Sequence, residues 1–276
     1  MRFTQVDVFT DELMYGNPVA VVHDADALSD DQMAAFARWT NLSETTFLLA
    51  PTDPAADYRL RIFTTYAELP FAGHPTLGSA RAWLFAGGTP RRAGEIVQEC
   101  GVGLVRVRDG DGRLAFAAPP LRRAGPVEEV DIAQVAESLG IPHADVVGAQ
   151  WADNGPGWVA VLLRSAEAVL AIEPRGFGDI DKVGVVGPYP PGGPADVEVR
   201  AFFPSGEDPV TGSLNAAIAQ WLIGSGLATD SYTASQGTRL GRHGRVHVER
   251  VGDDIWVGGD TVVGISGTVA LPAPGR

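Results

Sequence analysis

A single cysteine, Cys100, stands in a chain of 276 residues. It can form no internal disulfide and cannot build a structural zinc site, which points to a reducing compartment, with the cytoplasm as the expected address. Lysine is as scarce: Lys182, in Asp181-Lys182-Val183-Gly184, is the only one, so Schiff-base chemistry has one candidate in a poor context. Acidic residues outnumber basic ones by 34 to 21, giving a formal net charge of −13, and no basic run interrupts the chain. A phosphate backbone would find little to hold it, which argues against a nucleic-acid partner. No apolar run approaches the roughly 18 residues of a membrane helix. The chain opens on the alternating Arg2-Phe3-Thr4-Gln5-Val6-Asp7-Val8-Phe9, which reads as a strand, so neither a signal peptide nor a membrane anchor is expected.

Cofactor motifs are missing too. No G-x-G-x-x-G follows a strand and opens a helix; Gly101-Val102-Gly103 leads into a strand instead, and there is no P-loop. His243 and His247 have the spacing of a helical metal pair but lie in a strand-like run, where side chains four apart are about 13 Å distant. Neither a metal nor an organic cofactor is therefore expected.

The 34 glycines, 20 prolines and 45% apolar content describe a globular chain with core enough for one large domain or two of medium size. Ser29-Asp30-Asp31-Gln32 is a capping box opening Met33 to Trp39, Asp131-Ile132-Ala133-Gln134 repeats it ahead of Val135 to Leu139, and Ser165 can cap a short helix through Ile172. Strands are expected at Val19–Val22, Thr46–Leu49, Tyr58–Phe63, Trp158–Leu163, Val197–Phe203, Arg245–Arg250 and Asp254–Val257, with a hairpin turn at Asp109-Gly110-Asp111-Gly112. Many short strands with few helices indicate an α+β chain.

The most informative feature is an internal echo. His74-Pro75-Thr76-Leu77-Gly78-Ser79 and Asp208-Pro209-Val210-Thr211-Gly212-Ser213 share [His/Asp]-Pro-x-x-Gly-Ser at an offset of 134 residues, close to half the chain. Each follows an Arg-x-Phe strand, Arg61-Ile62-Phe63 or Arg200-Ala201-Phe202, and each precedes an apolar helical run. The pattern reads as a duplication. The proline-rich stretch from Ala118 to Pro126 reads as the linker, dividing the chain into domains 1–120 and 121–276, with the last strand able to rejoin the first domain.

Proline is favoured just inside a helix start, so the echo places His74 and Asp208 at or just before helix N-termini. Unclaimed first-turn amides near Gly73 and near Gly212-Ser213 would then suit an anion such as a carboxylate, although tight structural turns would use the same residues. Two titratable groups in matching places suit proton handling. Glu44, in Asn41-Leu42-Ser43-Glu44-Thr45-Thr46-Phe47, enters an apolar strand; half-burial there would raise its pKa from about 4.3 toward the range of a proton carrier, while a surface strand-edge carboxylate is the alternative reading.

Together these residues resemble the PhzF family of phenazine biosynthesis, which shares the diaminopimelate epimerase fold. The resemblance is carried by Gly16-Asn17-Pro18-Val19-Ala20-Val21-Val22, Asn41-Leu42-Ser43-Glu44-Thr45, the run Glu68 to Ala80, Gly206-Glu207-Asp208-Pro209-Val210-Thr211-Gly212-Ser213, and Gln236-Gly237 with Gly241-Arg242. It implies two pseudo-symmetric domains, each a sheet wrapped into a barrel about a central helix, an active site in the cleft between them, and a homodimer. It also implies a cofactor-independent isomerase, with Glu44 as proton carrier, His74 and Asp208 assisting, and Ser43, Gly73, Gly212 and Ser213 holding the substrate. The best-known activity of the family moves a proton within the ring of a cyclic amino acid, trans-2,3-dihydro-3-hydroxyanthranilate. The epimerases of this fold use two cysteines; here the resemblance places His74 and Asp208 where those thiols would stand, and Thr65 replaces a proline common in relatives.

The leading expectation is therefore an isomerase moving a proton on a small carboxylate or amino-acid-like substrate. A serine-type hydrolase built from Ser213, His74 and Asp208 has a permitted chain order but lacks a Gly-x-Ser-x-Gly elbow. A non-catalytic small-molecule binder would keep the helix-start amides and have no use for Glu44.

Overall fold

A computed structural model describes residues 1–110, 112–204 and 206–271. It divides into two compact units, Met1–Ala117 with the segment from Gly258 onward, and Ala118–Val257.

In the first unit β1 (Arg2–Val8) pairs antiparallel with β2 (Asn17–Val22). Helix α1 (Asp30–Thr40) crosses over to β3 (Glu44–Leu49), which runs parallel to β2. The expected capping box is present: Ser29 Oγ accepts from Gln32 N–H, and Gln32 Oε1 accepts from Ser29 N–H at 2.9 Å. β4 (Tyr58–Phe63) returns antiparallel on β3, and the two-residue β5 (Glu68–Leu69) folds back on β4. Helix α2 (Gly73–Phe85) then leads to β6 (Glu95–Cys100), parallel to β4, and β7 (Gly103–Gly110) and β8 (Arg113–Ala117) follow as an antiparallel meander. Asp111, in the expected hairpin turn, lies outside the described residues.

The second unit begins inside the proline-rich stretch. Rather than serving wholly as linker, that stretch contributes β9 (Arg123–Pro126), which pairs with β10 (Val146–Asp153). Between them lies α3 (Glu129–Leu139), whose N-cap is Glu128. The N-cap thus lies three residues ahead of the expected one, and Asp131 sits in the first turn, where the helix dipole favours a carboxylate. β11 (Val159–Leu163) pairs antiparallel with β10, and α4 (Ala166–Leu170), capped by Ser165, leads to β12 (Val183–Pro188), parallel to β11. β13 (Val197–Phe203), the short β14 (Gly206–Asp208), α5 (Gly212–Gly224), β15 (Ser231–Gln236), β16 (Gly244–Val251) and β17 (Asp254–Gly259) follow. β13 is antiparallel to β12 and β14, and parallel to β15. The last strand, β18 (Thr261–Thr268), returns to the first unit and pairs with β1.

Strand for strand, the ladder β18-β1-β2-β3-β4-β6-β7 recurs as β9-β10-β11-β12-β13-β15-β16, with matching parallel and antiparallel steps. The fold is sheet-dominated α+β with few helices, and no helix among the described residues is long and apolar enough to cross a membrane. In the first unit the sheet wraps α2, which packs against β1, β2, β3 and β8. The helix can occupy that position because its first eight residues, Gly73 to Ala80, are all buried and mostly small. Gly78 marks the closest approach: a Cβ there would lie 2.2 Å from Val19 Cγ1.

The duplication holds, but its register differs from the echo read in sequence. Helices α2 and α5 each have 13 residues and start at Gly73 and Gly212, an offset of 139 rather than 134. The same offset carries Arg61 to Arg200 and Glu68 to Glu207, and both Arg–Glu pairs form forked ion pairs. Arg61 donates to Glu68 Oε1 and Oε2 at 2.7 Å each, and Arg200 donates to Glu207 Oε1 and Oε2 at 3.0 and 2.7 Å. The true repeat is Glu-x-Pro-x-x-Gly, seen as Glu68-Leu69-Pro70-Phe71-Ala72-Gly73 and Glu207-Asp208-Pro209-Val210-Thr211-Gly212. His74 therefore corresponds to Ser213, and Asp208 to Leu69. Asp208 ends β14, four residues before α5, and is not a helix-start residue. Pro75 misled because it sits in the first turn of α2, where its missing N–H costs nothing, whereas Pro209 lies in the turn ahead of α5.

Candidate active site

Glu44 is the first residue of β3, and its side chain is 14% exposed. Its Oε2 stands 3.3 Å from Nε2 of His74, the second residue of α2. The two atoms are close, but the contact is not a hydrogen bond. Burial of the imidazole holds its pKa down to about 3, so the ring is neutral across the physiological range. Strand register explains why these two meet: Glu44 pairs with Val19 of β2, and α2 packs across both strands. Ser43, exposed, directly precedes Glu44.

A third side chain joins them. Asn17, fully buried at the start of β2, places its amide Nδ2 3.3 Å from His74 Nδ1. The loop that delivers Asn17 is tied by Asp7, whose Oδ2 accepts from the N–H groups of Met14 and Gly16 at 2.7 and 3.2 Å. Gly16 is required there, because a Cβ would lie 2.2 Å from Val8 O. At the start of α2, Ala72 offers no side-chain cap, and the first bond of the ladder is Thr76 N–H to Ala72 C=O. The amides of Gly73 and His74 lie outside that ladder.

The second unit gathers the other sequence candidates. Asp208 is 9% exposed and accepts at Oδ2 from Thr211 Oγ1 at 2.6 Å. Gln236 knits the turn: Nε2 donates to Asp208 O and Thr211 Oγ1, while Oε1 accepts from Thr211 N–H and Asn215 Nδ2. Helix α5 has no side-chain cap either, and its first bond, Asn215 N–H to Thr211 C=O, leaves the amides of Gly212 and Ser213 outside the ladder. Ser213 is held from the β10–β11 loop: Trp158 Nε1 donates to its Oγ at 3.2 Å, and Asn154 Nδ2 donates to its C=O at 2.9 Å. Because the indole can only donate, the Ser213 hydroxyl keeps its own proton to give elsewhere.

These bonds do not fit a hydrolytic triad. Ser213 Oγ meets a donor that cannot take its proton, and Asp208 accepts from Thr211. The two units also differ at the decisive positions. The place of Glu44, opposite Val19, is taken in the second unit by Val183, opposite Val159, and the place of His74 is taken by Ser213. The carboxylate–imidazole pair thus exists in one copy of a duplicated frame, and the other copy presents donors.

Cys100 ends β6, half-buried, with its Sγ directed to Gly103 O, and burial pushes the thiol pKa up. Such a thiol is a poor nucleophile. Cys100→Ser is expected to leave turnover unchanged, and steady-state kinetics on the folded variant check it. Asn17, Asn154, Trp158 and Gln236 were given no site role from sequence. Asn17 and Gln236 stand in motifs that carry the resemblance, but the contacts themselves join residues 21 or more positions apart.

The family model for phenazine biosynthesis-like proteins, PhzC-PhzF, matches residues 6–271. Antisense-enhancing sequence 1 of Schizosaccharomyces pombe is 38% identical over 294 aligned residues, 96% of this chain and 97% of that protein. Trans-2,3-dihydro-3-hydroxyanthranilate isomerase of Pseudomonas aeruginosa is 36% identical over 177 residues, 63% of this chain and 61% of that protein. Among solved structures, a phenazine biosynthesis protein of the PhzF family from Enterococcus faecalis aligns with a TM-score of 0.79 and 25% identity, covering 98% of this chain and 99% of that one. With the fold, the motifs and the family model in agreement across nearly its whole length, the chain belongs to the PhzF family of phenazine biosynthesis-like proteins and is an isomerase.

Proposed function

We propose that this isomerase moves a proton between two carbons of a small carboxylate or amino-acid-like substrate without a cofactor, with Glu44 as the proton carrier. The carboxylate of Glu44 takes a proton from carbon, and the bonding pair stays on the substrate as a delocalised anion. The carboxylic acid so formed then returns the proton to a second carbon, which restores the carboxylate and gives a product of unchanged composition. His74 steadies Glu44 through both states, and Asp208 assists. Ser43, Gly73, Gly212 and Ser213 hold the substrate, its carboxylate going to the amides of Gly212 and Ser213, where the α5 dipole favours an anion despite the net charge of −13. A cytoplasmic homodimer is the setting the family resemblance implies.

The observation that carries this reading is the Glu44–His74 pair, largely buried, with a neutral imidazole, its places in the second unit taken by Val183 and Ser213. A binder without chemistry would have no use for it. The test is a screen of carboxylic acids incubated with the protein in heavy water and read by mass spectrometry. Solvent deuterium is expected to enter one acid at carbon, and a screen that includes cyclic amino acids with no deuterium entering any would count against the reading. For the acid so found, conversion of the carboxylate to an amide is expected to weaken binding by roughly 10- to 100-fold, measured by calorimetry. Equal affinities would show the helix starts to be structural turns.

A further inference from the structure

We infer that Asn17 is a positioning residue that fixes the proton of the His74 ring on Nε2, toward Glu44. The side chains of Asn17 and His74 are buried, with Nδ2 of one 3.3 Å from Nδ1 of the other. With Nδ2 turned to the ring, the amide donates, which makes Nδ1 the unprotonated nitrogen of a neutral ring. The ring proton then lies on Nε2, the atom 3.3 Å from Glu44 Oε2. Neutrality itself follows from burial, which keeps the ring from taking a second proton.

The consequence deepens the proposed role of Glu44, on which it rests. With Nε2 already protonated, the ring turns a proton toward the resting carboxylate and offers no lone pair to the carboxylic acid formed during the reaction. The proton that Glu44 lifts from carbon cannot drain into the imidazole and stays available for return to the substrate. The opposite tautomer would set two acceptors against each other in the resting state and give the carried proton an exit. Glu44 faces Nε2 and Asn17 faces Nδ1, and Asp7 fixes Asn17 through the backbone of the preceding loop. The unit's own duplicate shows the same placement used for another purpose: Trp158, beside the start of β11, donates to Ser213 as Asn17 donates to His74.

The test is nitrogen-15 NMR of the imidazole rings in the uniformly labelled full chain. His74 is identified among the five histidines by the signals lost in His74→Gln. In the unaltered protein Nδ1 is expected to show the far-downfield shift of an unprotonated ring nitrogen and Nε2 that of a protonated one; a protonated Nδ1 overturns the inference. In Asn17→Asp, where an acceptor replaces the donor, the proton is expected to move to Nδ1 or to occupy both nitrogens. Should that variant not fold, Asn17→Ser, too short to reach Nδ1, is expected to give a mixture of tautomers, and an unchanged Nε2–H ring in either variant also overturns it. With a substrate in hand, kcat of the folded variant should fall about tenfold or more while KM moves little. The NMR result needs no substrate, so a failure of the isomerase reading would leave the tautomer answer standing on its own.

Discussion

Glu44→Gln should lower turnover by about 10²- to 10⁴-fold, the usual contribution of a positioned acid/base group, while leaving the fold intact. Glutamine has the size of glutamate, and its Oε1 can still accept from a protonated His74 Nε2, so the packing at the start of β3 survives. What is lost is the ability to take a proton at all. Substrate binding should change far less than kcat, because the amides of Gly212 and Ser213 are untouched. Near-normal turnover in a folded Glu44→Gln protein would move the proton-carrying role to Asp208 or His74. Circular dichroism with steady-state kinetics separates these outcomes.

The second large effect is on stability. Arg200→Met should destabilise the protein by about 3–5 kcal/mol, because it strands a buried carboxylate. Arg200 and Glu207 are 5% and 9% exposed at their side chains, and Arg200 Nη1 also donates to the carbonyls of Val169 and Ile172, at 3.2 and 2.8 Å. Removing the guanidinium strands the Glu207 carboxylate and takes a donor from the carbonyls of Val169 and Ile172. The duplicate pair supplies the control. Arg61 and Glu68 are 16% and 43% exposed, so in Arg61→Met water can solvate the carboxylate left behind, and the loss should be much smaller. Urea unfolding of the two variants measures the difference. Equal losses would show that burial does not govern the strength of this clamp.

What was legible in sequence were features with local causes. The capping box at Ser29 and Gln32, the strand Tyr58–Phe63 and the short helix after Ser165 are set by neighbours in the chain, and each stands where its residues point. Glu44 was legible as a carboxylate at the mouth of an apolar strand. The register of the duplication was not, because two similar proline motifs play different parts. One proline lies inside a helix and the other in a turn before one, and only the strands that precede them decide which. β5 and β14 have two and three residues, too few for any periodicity, yet they align the repeat through Glu68 and Glu207. The partners of the helix starts escaped for a related reason. Asn17 reaches His74 across 57 positions and Trp158 reaches Ser213 across 55, and no spacing rule anticipates either.

The proposed division, with proton chemistry in the first unit and substrate binding in the second, makes a sharp demand on isotope exchange. With an identified substrate in heavy water, the entry of deuterium at carbon is compared at saturation for the unaltered protein, Glu44→Gln and Ser213→Ala. Glu44→Gln should lose deuterium entry and product formation together, while Ser213→Ala, with KM raised, should still exchange at a rate close to that of the unaltered protein. Deuterium entry that survives in Glu44→Gln and vanishes in Ser213→Ala would place the proton chemistry in the second unit and contradict the assignment.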